Sequence, residues 1–223
     1  MAFDLAVRNG LVFDGAGNPG FEADIYISDG RIVRICRAVA GEADKVIDAE
    51  GLVVAPGFVD IHQHSDHTLF AFPRCESYVH QGVTTVSVGN CGLSLAPLSE
   101  EHKKDVVRYY ESFTLGLDVP YNWRTFGEYL ERLEELQLGV NIWPQIGHCT
   151  LKASVMGYEA RKTLDREVRE MKMVLEEAMS TGAVALSVGD YPPACFSEID
   201  ELIELAKVAA KHRGILTMHL RNE

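Results

Sequence analysis

The sequence lacks an excess of positive charge, a disulfide framework and any long hydrophobic run. Its 21 lysines and arginines stand against 33 aspartates and glutamates, which gives a formal charge of -12. Because nucleic acids and anionic membranes bind to basic surfaces, we expect neither as a partner. The five cysteines are scattered, odd in number and without a Cys-x-x-Cys pair, which argues against structural disulfides.

Targeting and membrane segments are also missing from the pattern. No apolar run approaches the roughly 18 residues that a membrane helix needs. Residues 1–10 contain no basic segment followed by an apolar block, so they do not resemble a secretory signal. We therefore expect a cytoplasmic protein. Hydrophobic residues make up 47% of the chain, enough for a substantial core.

Residues 1–55 are predicted to form a small antiparallel β module. Pairs such as Asn9-Gly10, Asp14-Gly15 and Asp29-Gly30 separate short apolar runs, which lie at 5–7, 11–13, 25–27, 32–35, 46–47 and 52–54. Asn-Gly and Asp-Gly pairs supply the positive φ angles of tight hairpins.

From residue 56 onward the pattern changes to strands that alternate with helices. Buried apolar strands are predicted directly after Pro56-Gly57 and at 84–88, 140–146, 183–188 and 215–219. Helices are predicted after Ser99, at 125–138 with a Thr125–Glu128 capping box, at 164–181, and from Ser197 to Gly214. Such strands are typical of a parallel sheet covered on both faces.

Polar side chains lie at or just after the C-terminal ends of the predicted strands. They are His62, His64, Cys91, His148, Ser187 and His219. Barrel enzymes place their chemistry at this end of every strand, whereas a doubly wound sheet concentrates ligand groups at one switch point. The sequence also has no Gly-x-Gly-x-x-Gly or Gly-x-x-x-x-Gly-Lys loop. The pattern therefore predicts an α/β fold that is part of a (β/α)8 barrel.

The stretch PGFVDIHQHSD, residues 56–66, carries a metal-binding pattern at the end of its strand. Because side chains alternate across a strand, His62 and His64 are predicted to point to the same side. Two imidazoles placed in this way can hold one divalent cation and suit zinc. With a thiolate and further histidines from other strand ends, the site predicts metal-assisted hydrolysis, in which metal-bound water attacks a polarised carbonyl.

Several segments resemble the amidohydrolase superfamily and, within it, the N-acyl-D-amino acid deacylase (D-aminoacylase) group. They are PGFVDIHQHSD, GVTTVSVGNCGLSLAP (82–97), IGHCTLK (146–152), STGAVALSVGDYPPA (180–194) and TMHLRNE (217–223). The resemblance runs from end to end of the chain. It implies that residues 1–55 are the N-terminal part of a small β-sandwich domain. Residues 56–223 would be the first five or so β/α units of a metal-dependent hydrolase TIM barrel.

The resemblance also implies a ligand set. Metal ligands of the group correspond here to His62, His64, Cys91 and His219. One further histidine and the acid–base aspartate would lie beyond residue 223, so no catalytic residue is expected within this chain. The implied cofactor is zinc, with one ion bound tightly and a second more weakly. We expect the 223 residues to be the N-terminal half of a larger enzyme and to be inactive alone.

Four other residues are candidates for binding substrate or for supporting the metal ligands. Asp66 could orient a ligand or lie in a solvated loop. His148 could support a ligand or bond a neighbouring loop. Tyr191 could donate to substrate or pack against the prolines that follow it. Arg221 could pair with a substrate carboxylate or with a structural one.

The leading hypothesis is a zinc-dependent hydrolase that cleaves N-acyl-D-amino acids to a carboxylate and a free D-amino acid. One alternative is a cyclic-amide hydrolase of the dihydropyrimidinase or dihydroorotase kind, in which a modified lysine on a middle strand bridges two metals. The end of the fourth strand, residues 185–190, carries no lysine. The other alternative is an inactive half-barrel that acts only through a partner. The preferred D-amino acid, the number of metals and the oligomeric state stay open.

Overall fold

The computed structural model describes residues 2–37, 41–114 and 116–220. The chain divides into two compact units, Met1–Gly57 and Phe58–Glu223, whereas the predicted break lies between residues 55 and 56. The strands are β1 (Phe3–Val12), β2 (Phe21–Ser28), β3 (Arg31–Cys36), β4 (Ala43–Asp48), β5 (Val53–Val54), β6 (Phe58–Asp60), β7 (Val83–Val88), β8 (Asn141–Gly147), β9 (Ala185–Val188) and β10 (Ile215–Met218). The helices are α1 (Thr68–Ala71), α2 (Glu76–Val79), α3 (Lys103–Thr114), α4 (Phe126–Glu135), α5 (His148–Met156), α6 (Asp165–Thr181) and α7 (Ile199–Lys211).

The first unit is a mixed sheet in the order β3-β2-β1-β4, with β5 also paired to β1. The pairs β1–β2 and β2–β3 are antiparallel, and Asp29 and Gly30 form the tight turn between β2 and β3 with φ angles of 51° and 69°. The pairs β1–β4 and β1–β5 are parallel. The predicted all-antiparallel module is therefore wrong, because the chain crosses over to the far edge of β1 after β3.

One further expectation for this unit is wrong, and another is not confirmed. Asn9-Gly10 is not a hairpin turn: it lies inside β1, where Asn9 adopts φ 62° and the register with β2 shifts, as in a β-bulge. The β-sandwich is not confirmed, because the described strands of the unit form one sheet rather than two packed sheets. Apolar side chains of β3, including Ile32 and Val33, are consequently exposed.

The second unit contains a sheet whose strand order in space follows the order along the chain, β6-β7-β8-β9-β10. Each neighbouring pair is parallel. A doubly wound sheet reverses its order at a switch point, and the described strands contain no reversal. The chain therefore winds in one direction, as in a barrel, and the predicted parallel β/α arrangement is confirmed as a five-stranded part of one.

The two edge strands of this sheet expose apolar side chains. Phe58 and Val59 of β6 are 64% and 59% exposed, and Ile215 of β10 is also exposed. The predicted buried strand after Pro56-Gly57 is wrong on this point, because β6 pairs with β7 on one side only.

Helix boundaries agree with the sequence where a local signal exists. Thr125 and Glu128 form the predicted capping box, with reciprocal bonds of 3.2 Å. Helix α4 ends three residues before the predicted boundary at residue 138. Helix α6 matches its prediction to within one residue, and Gly182 follows it with φ 135°.

Two helices differ from expectation. Helix α5 is not predicted, because eight of its nine residues are buried and the sequence shows no amphipathic face. Helix α7 has Glu198, not Ser197, at its N-cap position. Spacing predicts Ile199 and Ile203 on its buried face, yet both are exposed, and the buried face consists of Leu202, Leu205, Val208 and Ala209.

The core of the second unit lies between the sheet and its helices. Trp123 is fully enclosed, donates from Nε1 to the carbonyl of Leu95 at 2.7 Å, and stacks on Phe70. Within the described ranges, no helix combines the length and apolar character needed to cross a bilayer.

Candidate metal centre

Four side chains from three strand ends converge on one point. The Sγ atom of Cys91, in the loop after β7, lies 3.1 Å from His62 Nε2 and 3.2 Å from His64 Nε2. The same sulfur lies 2.8 Å from Nε2 of His219, which directly follows β10. His62 and His64 lie in the loop after β6 rather than in the strand, and their ring centroids are 5.5 Å apart.

This donor set fits a divalent cation of the zinc type. Zn–S bonds of about 2.3 Å and Zn–N bonds of about 2.0–2.1 Å let one ion bridge a sulfur and a nitrogen separated by up to roughly 4.4 Å. All three sulfur–nitrogen distances fall below that limit. The ligand atoms of His62, His64 and Cys91 lie within 4.8 Å of one another. Three imidazoles and one thiol are ligand types that zinc accepts.

Protonation in the cluster is consistent with metal binding. Burial lowers the pKa of His64, and the neighbouring His62 and His219 lower it further, which favours the neutral imidazole that binds metals. Burial raises the pKa of the Cys91 thiol, and the Asp66 carboxylate adds to the effect. A coordinating cation reverses this shift, because its positive charge deprotonates a thiol ligand.

The backbone of Cys91 adopts an unusual conformation. Its φ and ψ angles are 57° and 27°, in the left-handed region. A non-glycine residue pays about 1–2 kcal/mol there. The flanking Gly89 and Gly92 have φ angles of 80° and 75° and enter this region without that penalty. The segment Gly89–Gly92 is called the cysteine loop below.

Glycines at the ends of two neighbouring strands allow close approach of the cysteine loop. A Cβ atom added to Gly189, after β9, would lie 1.9 Å from the carbonyl oxygen of Cys91. A Cβ atom on Gly147, at the end of β8, would lie 2.3 Å from the carbonyl oxygen of Gly92. Backbone atoms cannot yield as a flexible side chain can, so both positions require glycine.

Two buried side-chain amides, of Asn90 and Gln145, connect the cysteine loop to the sheet. Asn90 donates from Nδ2 to the carbonyl oxygens of Gln63 and Ser87, at 3.0 and 3.1 Å. Gln145 of β8 donates from Nε2 to Asn90 Oδ1 at 2.8 Å and accepts from Thr217 Oγ1 at 2.6 Å. Sequence reasoning overlooked Asn90 and Gln145, although a buried-strand pattern interrupted by an amide was a signal.

Asp66 is buried and anchors the other end of the cysteine loop. Its Oδ1 accepts a hydrogen bond from the Gly89 amide at 2.7 Å. Burial raises the pKa of Asp66 to about 7, although the bond from Gly89 acts in the opposite direction. Of the two interpretations, the solvated loop is excluded, because Asp66 is only 4% exposed.

A cavity of about 350 Å³ borders the cluster. It is lined by His64, Asp66, His67, Leu93, Tyr110, Phe113 and Tyr191. Tyr191, a predicted substrate-binding residue, is thus beside His64. His67, which extends the His-x-His loop beyond Asp66, also lines the cavity, and burial and the nearby His64 lower its pKa to about 4. No lysine or arginine is among the lining residues, and Leu93 and Phe113 contribute apolar side chains.

His148 and Arg221, the other two candidates, are not assigned to this cavity. His148 begins α5, is fully buried, and contacts Glu201 Oε1 of α7 through Nε2 at 2.7 Å. Lys152 Nζ lies 3.1 Å from the other oxygen of Glu201. A supporting role for His148 stays a prediction, and Glu201 and Lys152 were not predicted. Arg221 lies outside the described residues.

The chain is similar to proteins of known activity. A family model described as the amidohydrolase family matches residues 45–222. A D-aminoacylase from Alcaligenes xylosoxydans xylosoxydans is 37% identical over 222 residues, which are 99% of this chain and 45% of that protein.

Two solved structures share the fold at a TM-score of 0.87. One is a D-aminoacylase described as having a binuclear metal centre, 33% identical over 99% of this chain and 46% of its own. The other is an N-acyl-D-glutamate deacylase from Bordetella bronchiseptica in complex with zinc and a phosphonate inhibitor, 31% identical over 100% of this chain and 46% of its own. The chain spans about half the length of these relatives.

Proposed function

The chain belongs to the amidohydrolase family, and on this premise we propose that it is the N-terminal half of a zinc-dependent hydrolase that cleaves the amide bond of N-acyl-D-amino acids. One observation carries the proposal: the Cys91 sulfur lies within 3.2 Å of a nitrogen atom of each of three histidines, all at strand ends. The 37% identity to a D-aminoacylase over 99% of the chain supports the same substrate class.

We assign His62, His64, Cys91 and His219 as the metal ligands that this chain contributes, with one zinc ion bound tightly. A second, weaker ion is part of the proposal, because a similar D-aminoacylase is described as having a binuclear centre. When bound, the metal would act as a Lewis acid toward water and toward the amide carbonyl.

The residues around the ligands would position the substrate. The cavity beside His64 would hold an apolar part of the substrate and exclude water, and the Tyr191 phenol would donate a hydrogen bond to it. Asp66 would keep the cysteine loop in place through the Gly89 amide. Arg221 is proposed to pair with the substrate carboxylate, since a guanidinium binds a carboxylate bidentately.

Further β/α units are proposed to complete the barrel by pairing with β6 and β10. The exposed apolar residues of both edge strands support this arrangement, as does the length of the relatives, about twice that of the chain. The acid–base aspartate would come from those units and would pass the proton of the attacking water to the leaving amine. The cyclic-amide alternative has less support, because the similar proteins of known activity described above are named for linear N-acyl-D-amino acids.

The test compares Cys91→Ala with Cys75→Ala in the purified complete enzyme, of which this chain is proposed to be the N-terminal half. Both cysteines are buried, but Cys75 lies outside the cluster. We expect Cys91→Ala to lose zinc and zinc-dependent hydrolysis of N-acetyl-D-amino acids, and Cys75→Ala to keep both. Zinc content measured by atomic absorption that is unchanged in Cys91→Ala would sink the ligand assignment. Hydrolysis of the L-enantiomers alone would contradict the substrate class.

A further inference from the structure

Ser187 is a fully buried hydroxyl that the proposed function leaves unused. It lies in β9, where it pairs with Gly147 of β8 and Thr217 of β10 in the sheet register. Its Oγ accepts a hydrogen bond from the Gly92 amide at 2.8 Å. The same Oγ donates a short hydrogen bond to the carbonyl oxygen of Gly89.

These two bonds close a ring around Cys91. Gly89 and Gly92 are the two ends of the cysteine loop, and one hydroxyl links both ends to β9. Cys91 itself is in the left-handed conformation, which a non-glycine residue leaves when its neighbours are free to move. The hydroxyl of Ser187 therefore holds the backbone on either side of the thiol in the one conformation that aims Sγ at the three histidines.

We propose that Ser187 is a positioning residue for Cys91, which preorganises the thiol as a metal ligand. This inference rests on the proposed function, because it assumes that Cys91 binds the metal. An alanine at position 187 would leave the Gly92 amide and the Gly89 carbonyl without their buried partner, and the cysteine loop would sample other conformations. The thiol would then leave the cluster for part of the time, and metal affinity would fall.

The experiment loads the purified protein with Co²⁺ in place of zinc and compares Ser187→Ala with Ser154→Ala. Ser154 is also buried, but among the described residues its hydroxyl bonds to the carbonyl of Leu151 within its own helix, α5. Thiolate-to-cobalt absorption reports the Cys91–metal bond directly. We expect Ser187→Ala to bind Co²⁺ about 10–100-fold more weakly, with a reduced thiolate band. Ser154→Ala should match the unmodified protein in affinity and spectrum.

The outcomes separate the inference from the proposed function. If Ser187→Ala matches the unmodified protein in affinity and spectrum, the positioning role is wrong and the metal site stands. If the unmodified protein shows no thiolate-to-cobalt band, the proposed function fails and the inference fails with it. If Ser187→Ala does not fold, amide exchange in the unmodified, metal-free protein decides. Slow exchange at Gly92 supports the bond to Ser187, and exchange as fast as that of exposed loops overturns it.

Discussion

Gly189 is a position at which one methyl group changes the geometry of the candidate site. Its backbone lies so close to the cysteine loop that an added Cβ atom would be 1.9 Å from the carbonyl oxygen of Cys91. The same closeness explains why Cys91 can hold a left-handed conformation, since the surrounding backbone leaves little space for another one. Close packing of backbones thus restricts the loop that carries Cys91.

Gly189→Ala is therefore expected to destabilise the protein and to weaken metal binding. Overpacking of this kind lowers the free energy of unfolding by about 1–3 kcal/mol. The displaced cysteine loop would also carry the Cys91 thiol away from His62 and His64. Urea unfolding and zinc titration measure the two effects. Gly127→Ala is the control, because its Cβ atom would lie 3.3 Å from side-chain atoms of Thr181 and not against backbone, and alanine favours the helical conformation of α4. Equal stability and zinc affinity in the two variants would contradict the prediction.

At the scale of elements, helices α5 and α7 are joined by a buried charged network. The carboxylate of Glu201, in α7, accepts hydrogen bonds from His148 and Lys152 of α5. It also accepts hydrogen bonds from the hydroxyls of Ser197 and Thr163. Helix α5 begins directly after Gly147, whose backbone contacts the cysteine loop. The network therefore fixes the helix that adjoins the candidate site.

Removing the carboxylate of Glu201 should destabilise the fold strongly. Glu201→Ala would leave Lys152 buried without its counter-charge, and breaking a buried ion pair in this way costs about 3–5 kcal/mol. Chemical denaturation followed by circular dichroism measures the change. Glu131→Ala, at an exposed position of α4, is the control and should stay within about 0.5 kcal/mol of the unmodified protein. A loss no larger than that of the control would show that the network contributes little.

The same network predicts how stability depends on pH. Burial acts to raise the pKa of Glu201, but hydrogen bonds from His148 and Thr163 and the charges of His148 and Lys152 outweigh it and lower the pKa from 4.5 to about 2. Because the folded-state pKa lies below the unfolded value, the contribution is present above about pH 4.5 and is lost as pH falls toward 2. The difference in unfolding free energy between the unmodified protein and Glu201→Gln should shrink over that window. A constant difference would contradict the assignment.

At the scale of the whole molecule, we expect the exposed strand edges to influence self-association more than the net charge of -12 does. Among the described strands, β6 and β10 each pair on one side only, and both carry exposed apolar side chains. An open apolar strand edge is a template for pairing with another chain. A closed barrel has no such edge, since its last strand pairs with its first.

Residues 1–223 produced alone are therefore expected to self-associate and to lack hydrolytic activity. The open edges favour association, and the proposed acid–base aspartate belongs to units outside these residues. Light scattering measures the first property, and a zinc-supplemented assay with N-acetyl-D-amino acids measures the second. A monomer with zinc-dependent turnover would contradict both the open-edge argument and the assignment of the aspartate.

The sequence by itself determined the features that have a local pattern. Alternating strands and helices indicated a parallel β/α sheet, the capping box located α4, and polar residues at strand ends indicated His62, His64, Cys91 and His219 as neighbours. These features are encoded over a few residues, through side-chain periodicity, turn chemistry and the rule that strand C-termini share one end of a barrel. The parallel sheet and the capping box are confirmed, and the metal-ligand role stays a proposal.

Only the tertiary structure decided the remainder. Four features join residues that lie far apart in sequence. They are the parallel pairing of β1 with β4, the enclosed helix α5, the Glu201 network and the two bonds of Ser187 to the cysteine loop. Ser187 and Gly92, for example, are 95 residues apart. Such contacts leave no periodic signal, because each depends on which surfaces meet when the elements pack. The sequence therefore indicated which side chains meet, and packing decided how Cys91 is held among them.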